Sequence, residues 1–104
     1  MDPIALKSSH LYIPGEVVSQ VFGEEPRVYL AYQPDRSTLL AAPASSQWFS
    51  KMHQPSQHML KVRNLQGDKT IALHEILIDN DLDNQDRELD YSIQESTKIL
   101  KITL

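Results

Sequence analysis

The stretch Tyr12-Ile13-Pro14-Gly15-Glu16-Val17-Val18 decides how the chain is read, because its pattern returns as Ile71-Ala72-Leu73-His74-Glu75-Ile76-Leu77. Apolar residues coincide at Tyr12/Ile71, Val17/Ile76 and Val18/Leu77, and Glu16 falls on Glu75. The same offset carries Leu30 onto Leu89 and Tyr32 onto Tyr91. Two extra residues in the second hairpin turn then bring Leu39 onto Leu100, Ala41 onto Ile102 and Pro43 onto Leu104. An offset that survives over such a distance marks an internal repeat, in pattern more than in identity.

Each copy predicts the same series of elements. A short strand comes first, Leu11 to Ile13 and Thr70 to Leu73. A short amphipathic helix follows, from about Gly15 to Phe22 with Val17, Val18, Val21 and Phe22 on one stripe, and from about His74 to Asp79. A β-hairpin closes each copy. Val28, Leu30 and Tyr32 alternate, as do Leu89, Tyr91 and Ile93, so each strand has one buried face. The return strands are Thr38 to Ala41 and Ile99 to Thr103, reached through polar turns. Between the copies, Pro43-Ala44-Ser45 opens a helix with Ser45 as its cap and with Trp48, Phe49 and Met52 on one face. Pro55 ends that helix, Met59 to Arg63 forms a strand, and Asn64 to Asp68 is a turn into the second copy.

The expected fold is mainly β with short helices (α+β), one domain over residues 1–104. Repeat one covers about 7–43, the connecting helix and strand about 44–66, and repeat two about 67–104. One unit alone buries too little apolar surface to be stable, so the two hairpins are expected to interleave around a pseudo-two-fold axis. Val17, Val18, Leu30, Ile76, Leu77, Leu89 and Leu100 are the expected core.

Composition narrows the function classes. The chain has no cysteine, which removes disulfides and thiolate metal sites and fits a reducing compartment. No apolar run is long enough for a membrane-spanning helix, and Met1-Asp2-Pro3 does not read as a signal peptide, so a cytoplasmic location is expected. The formal charge of −4 argues against diffuse phosphate binding but leaves room for a local basic patch. Nucleophile motifs and glycine-rich phosphate loops are missing, and the carboxylates lie in polar loops; an enzyme, a cofactor and a small-molecule substrate are not expected.

Strand, proline, short helix with paired aliphatics, then hairpin resembles the AbrB-type swapped-hairpin domains. Ile13-Pro14-x-Glu16-Val17-Val18 looks like the start of that family's helix. Two units in one chain, joined by a helix with Trp48 shortly after Pro43, resemble the MraZ family more specifically. The resemblance implies a pseudo-dimeric swapped-hairpin barrel and an oligomeric, DNA-binding transcriptional regulator. It also implies an Asp-x-x-x-Arg signature before each first strand, whose arginine serves DNA contact. Here the sequence departs from the family. Asn64 and Asp68 hold those places in unit two, and by the repeat offset Ala5 and Ser9 hold them in unit one. An acid at an arginine position opposes DNA, and Asp68→Arg is expected to strengthen binding. A second function therefore stands beside the first: an oligomeric interaction or assembly protein that kept the fold and lost DNA binding.

The candidate nucleic-acid contacts are Lys7, which flanks the start of unit one, and Lys61, Arg63 and Lys69, which flank the turn into unit two. Alternating Lys61 and Arg63 also read simply as the wet face of a strand. Asp79, Asp81, Asp83 and Asp90 follow the spacing of an EF-hand loop, but Asn84 replaces its glycine and an aspartate its final glutamate, so a solvated acidic loop is expected. His10, His53, His58 and His74 show no metal-ligand spacing. The Trp48, Phe49 and Met52 stripe reads as core contact, partner patch or subunit contact.

Overall fold

The chain begins its folding pattern with a hairpin built on two serines. Strands β1 (Ile4–Lys7) and β2 (His10–Ile13) are joined by Ser8 and Ser9, with φ of 51° and 62°. Two successive positive φ values are those of a type I′ turn, the tightest connection that suits strand twist. The computed structural model describes residues 3–65 and 67–104.

Helix α1 (Gly15–Val21) follows Pro14, whose ring fixes φ for entry into a helix. Val17, Val18 and Val21 form its buried stripe. It stops at Gly23, which takes φ of 60° and donates its N–H to the Val18 carbonyl at 2.9 Å, a C-cap that glycine makes at least cost. Strands β3 (Arg27–Gln33) and β4 (Thr38–Pro43) then form a hairpin through a single 3₁₀ turn, Pro34–Arg36. Helix α2 (Gln47–His53) leads to β5 (Ser56–Met59) and β6 (Lys61–Val62). The second copy supplies β7 (Lys69–Ala72), α3 (His74–Asp79), β8 (Arg87–Leu89), β9 (Tyr91–Gln94) and β10 (Ile99–Thr103).

The strands form two antiparallel five-stranded sheets. Sheet A has the order β6-β7-β2-β1-β8 and sheet B the order β5-β3-β4-β10-β9. The expected closed barrel is not formed by the described residues. Instead the sheets meet at two corners, where Leu60 separates β5 from β6 and Asp90 separates β8 from β9. Each corner passes one chain segment from one sheet to the other, as in sandwiches whose strands switch sheets at a bend.

The pairing registers follow the repeat. In sheet A, Leu11 pairs with Ile71 and Tyr12 with Thr70, and the repeat offset exchanges these two pairs. In sheet B, Leu40 pairs with Lys101, its own counterpart, while the pairs Leu39/Ile102 and Ala41/Leu100 exchange. Unit one's β1 pairs with unit two's β8, and the connecting β5 pairs with unit one's β3.

The main core lies between the sheets. Leu11, Ile13, Leu30, Leu39, Leu100 and Ile102 are almost wholly buried there, with Val17, Val18, Leu77 and Leu89 around them. Ile76, expected inside, is only partly buried against this cluster. A second cluster sits on the far face of sheet B, where Phe49 of α2 covers Leu40, Ala42 and Ile99. Strand β4 is therefore buried on both faces, which explains its uninterrupted Leu39-Leu40-Ala41-Ala42.

Helix α2 corrects two expectations. Its cap is Ser46, which accepts the Phe49 N–H, and not Ser45. Only Phe49 faces inward; Trp48 is 52 % and Met52 61 % exposed. The reason is the narrow contact a two-turn helix makes: one aromatic, stacked on Tyr29 with ring centroids 6.4 Å apart, fills it.

Candidate functional site

Antiparallel partners directly opposite one another project from the same face of a sheet. One such row crosses sheet A from edge to edge: Lys61, Thr70, Tyr12, Ala5 and Glu88. The neighbouring row holds Ala72, His10 and Lys7. The next residues along the strands, Leu11, Ile71 and Leu6, point the other way into the core. The first two rows thus belong to the outer, polar face of the sheet.

Tyr12 is the centre of that face. The Lys7 ammonium lies 5.6 Å and the Arg63 guanidinium carbon 4.1 Å from its ring centroid. Both are within the range where a cation is drawn to an aromatic ring. A shallow cavity of about 330 Å³ opens here, lined by Lys7, Tyr12, Arg63, Asp68 and Glu88 among others. The structure therefore brings together three of the four basic residues singled out by the sequence. Lys7 and Lys61 share the face by register, and Arg63 reaches it by lying over Tyr12. Lys69 does not join them. Its partners Ile13 and Val62 put it on the opposite side of the sheet, because one residue of register moves a side chain to the other face.

Asp68 has an employment that the sequence did not disclose. Its carboxylate accepts the Gly15 N–H at 2.7 Å and the Asn64 Nδ2 at 3.0 Å. The Asp68 N–H donates to Asn64 Oδ1 at 3.3 Å, and its carbonyl accepts the Arg63 N–H at 2.9 Å. Gly15 opens α1, whose N-cap Pro14 has no side chain to offer. Asp68 thus caps the helix of unit one from the hairpin of unit two and satisfies one of the donors a helix start leaves over. The Asn64 hydrogen bond and then the Gly15 N–H hold its carboxyl below the usual carboxylate range, against an opposing effect of burial, with the Arg63 charge adding the least.

The corresponding corner of unit one is built differently. Ser9 is the counterpart of Asp68, and its carbonyl accepts the Leu73 N–H beside the start of α3. Ala5, placed opposite Asn64 by the repeat offset, is instead a mid-strand residue paired with Tyr12 and Glu88. The physical reason is turn length: Ser8 and Ser9 alone join β1 to β2, whereas the second hairpin carries the longer loop closed by the Arg63–Asp68 backbone pair.

Other candidates resolve into structural roles. Ser56 Oγ and His58 Nε2 are 2.7 Å apart on β5, and the Ser56 hydroxyl also donates to the Leu30 carbonyl at 3.4 Å. Burial lowers the His58 pKa, only partly offset by the Glu75 charge, and the contacts among His58, Ser56 and the Leu30 carbonyl tie β5 to β3. The acidic run starts at Asp79, the end of α3, and continues as the loop 80–86 before β8, pinned by Asp86 accepting the Ser8 N–H and by Arg87 donating to the Asp83 and Gln85 carbonyls. Among the described residues, no three His, Asp or Glu side chains are grouped to hold a metal ion. No helix among them is long and apolar enough to cross a membrane. Neither a family model, nor a curated protein, nor a solved structure matches this chain.

Proposed function

We propose that the chain is an oligomeric, DNA-binding transcriptional regulator of the MraZ and AbrB type, and that the outer face of sheet A is its nucleic-acid surface. The observation that carries this reading is the gathering of Lys7 and Arg63 around an outer-face tyrosine, with Lys61 in the same row and Glu88 at its far end, in a chain whose net charge is −4. Cations concentrated on one face give phosphate contact that the overall charge would not. The carboxylate of Asp68 opposes it less than the sequence suggests, since two donors already share its charge. The exchange of strand pairs under the repeat supports a pseudo-dimeric swapped-hairpin architecture, and a cytoplasmic, non-enzymatic role belongs to the same reading.

Fluorescence anisotropy on a labelled random duplex tests it. Wild type should bind at low salt, and replacing Lys7, Lys61 and Arg63 together by alanine should abolish the binding. Absence of wild-type binding at the lowest salt would leave the second reading, an assembly protein on the same fold. That reading has its own observation: Trp48 and Met52 stand exposed on α2.

A further inference from the structure

We infer that Asp68 is a positioning residue for Arg63, so that this acid favours nucleic-acid binding at the outer face of sheet A instead of opposing it. The inference rests on the reading of that face as a nucleic-acid surface, and it reverses the expectation drawn from charge alone.

The contacts all lie within one corner. Arg63 and Asp68 are the facing residues that close the β6–β7 hairpin, with the Arg63 N–H on the Asp68 carbonyl. The Asp68 carboxylate then fixes the hairpin twice. Through Asn64 it braces the loop from within, and through Gly15 it ties the loop to α1 of the other unit. Gly67 helps, since its φ of 93° is a backbone conformation that glycine takes at least cost, next to the loop's contact with Gly15.

The consequence falls on the guanidinium. Arg63 is exposed, and an exposed arginine is ordinarily a loose side chain whose ordering costs free energy when it binds. Here its backbone is set by Asp68, the Asp68 charge acts on it from one side, and the Tyr12 ring lies against it. A guanidinium stacked on an aromatic ring keeps its N–H fork free for a phosphate or a base edge. Lys7 shares the Tyr12 ring, but an ammonium is a point charge without the planar fork of a guanidinium. Asp68 therefore trades a weak repulsion, already shared between two donors, for an arginine held in place.

The test is a double-mutant cycle read in duplex-DNA affinity, with thermal unfolding of each variant as a control. Asp68→Asn keeps the residue's size and removes the charge. It should weaken binding about three- to tenfold, and Arg63→Ala should then cost less in the Asp68→Asn background than in wild type, the non-additivity expected of residues that act as one unit. Asn64→Ala, which leaves the Asp68 charge but removes one brace, should weaken binding in the same sense, and serves in place of Asp68→Asn should that variant fail to fold. Tighter or unchanged binding by Asp68→Asn, or strict additivity with Arg63→Ala, would overturn the inference while leaving the DNA-binding reading intact. Failure of wild type to bind any duplex would remove both.

Discussion

Asp68 shows how far a residue's neighbours govern its meaning. As a letter in the chain it is a negative charge at a place where the resembling family keeps an arginine. In the fold it is the cap of α1 and the brace of a hairpin. The sign of its contribution to stability follows from the direction of its pKa. A carboxyl held below its usual range stabilises the fold at neutral pH, and that stabilisation is lost as pH falls through the native value. Urea unfolding from neutral to acid pH should therefore show an acid limb below the usual carboxylate range that is shallower in Asp68→Asn. An identical limb in both proteins would mean the carboxylate is unbraced. The core leucines give a second prediction. Leu30 and Leu89 hold corresponding places in the two units and are both buried, so truncation of either to alanine should cost about 2–5 kcal/mol in denaturant unfolding. A loss below about 0.5 kcal/mol, usual for surface positions, would put that side chain on the wrong face.

At the scale of elements, periodicity made most of the fold legible. The valines of α1 and the alternation of Val28, Leu30 and Tyr32 point to their buried faces without ambiguity, and the observed elements follow them. What escaped was β1. Its pattern Ile4 and Leu6 inward, Ala5 and Lys7 outward is a strand pattern, but it is four residues long and its turn is made by two serines where Asn-Gly would have announced a hairpin. The alternation of Leu89, Tyr91 and Ile93 predicts one strand facing Ile99 to Thr103, whereas the chain breaks at Asp90 and β8 pairs with β1 instead. The turn also makes a prediction. Serine at positive φ is strained, so replacing Ser8-Ser9 by Asn-Gly should raise stability by about 1 kcal/mol, while the backbone bonds from Ser8 to Asp86 and from Leu73 to Ser9 stay in place. A fall in the unfolding midpoint would show that the serine side chains themselves hold the turn. Helix α2 offers a comparison. Ser46→Ala should cost about 0.5–1 kcal/mol, toward the low side for an N-cap because the Phe49 N–H to Ser46 Oγ distance is 3.4 Å, whereas Ser45→Ala should cost almost nothing.

At the scale of the whole molecule, the site was half legible. Lys7 is far in sequence from Lys61 and Arg63, and the turns they flank were visible as approaches to the two units. Their meeting on one face, and the departure of Lys69 to the other, depend on the β2–β7 register, which brings the two units edge to edge. The role of Tyr12 was hidden for the same reason: the repeat lays it on Ile71, which points inward, while Tyr12 itself pairs with Thr70 and faces out. Asymmetry between the copies, more than symmetry, makes the surface. The central claim is that this outer face, and no other, receives nucleic acid. Its most direct test is a two-dimensional amide NMR titration of the labelled protein with a short duplex at low salt. The account predicts shifts concentrated at Lys7, His10, Tyr12, Lys61, Arg63 and Thr70, with the α2 amides around Trp48 and the acidic loop at 80–86 unmoved. Shifts centred on α2, or none at all at the lowest salt, would contradict it.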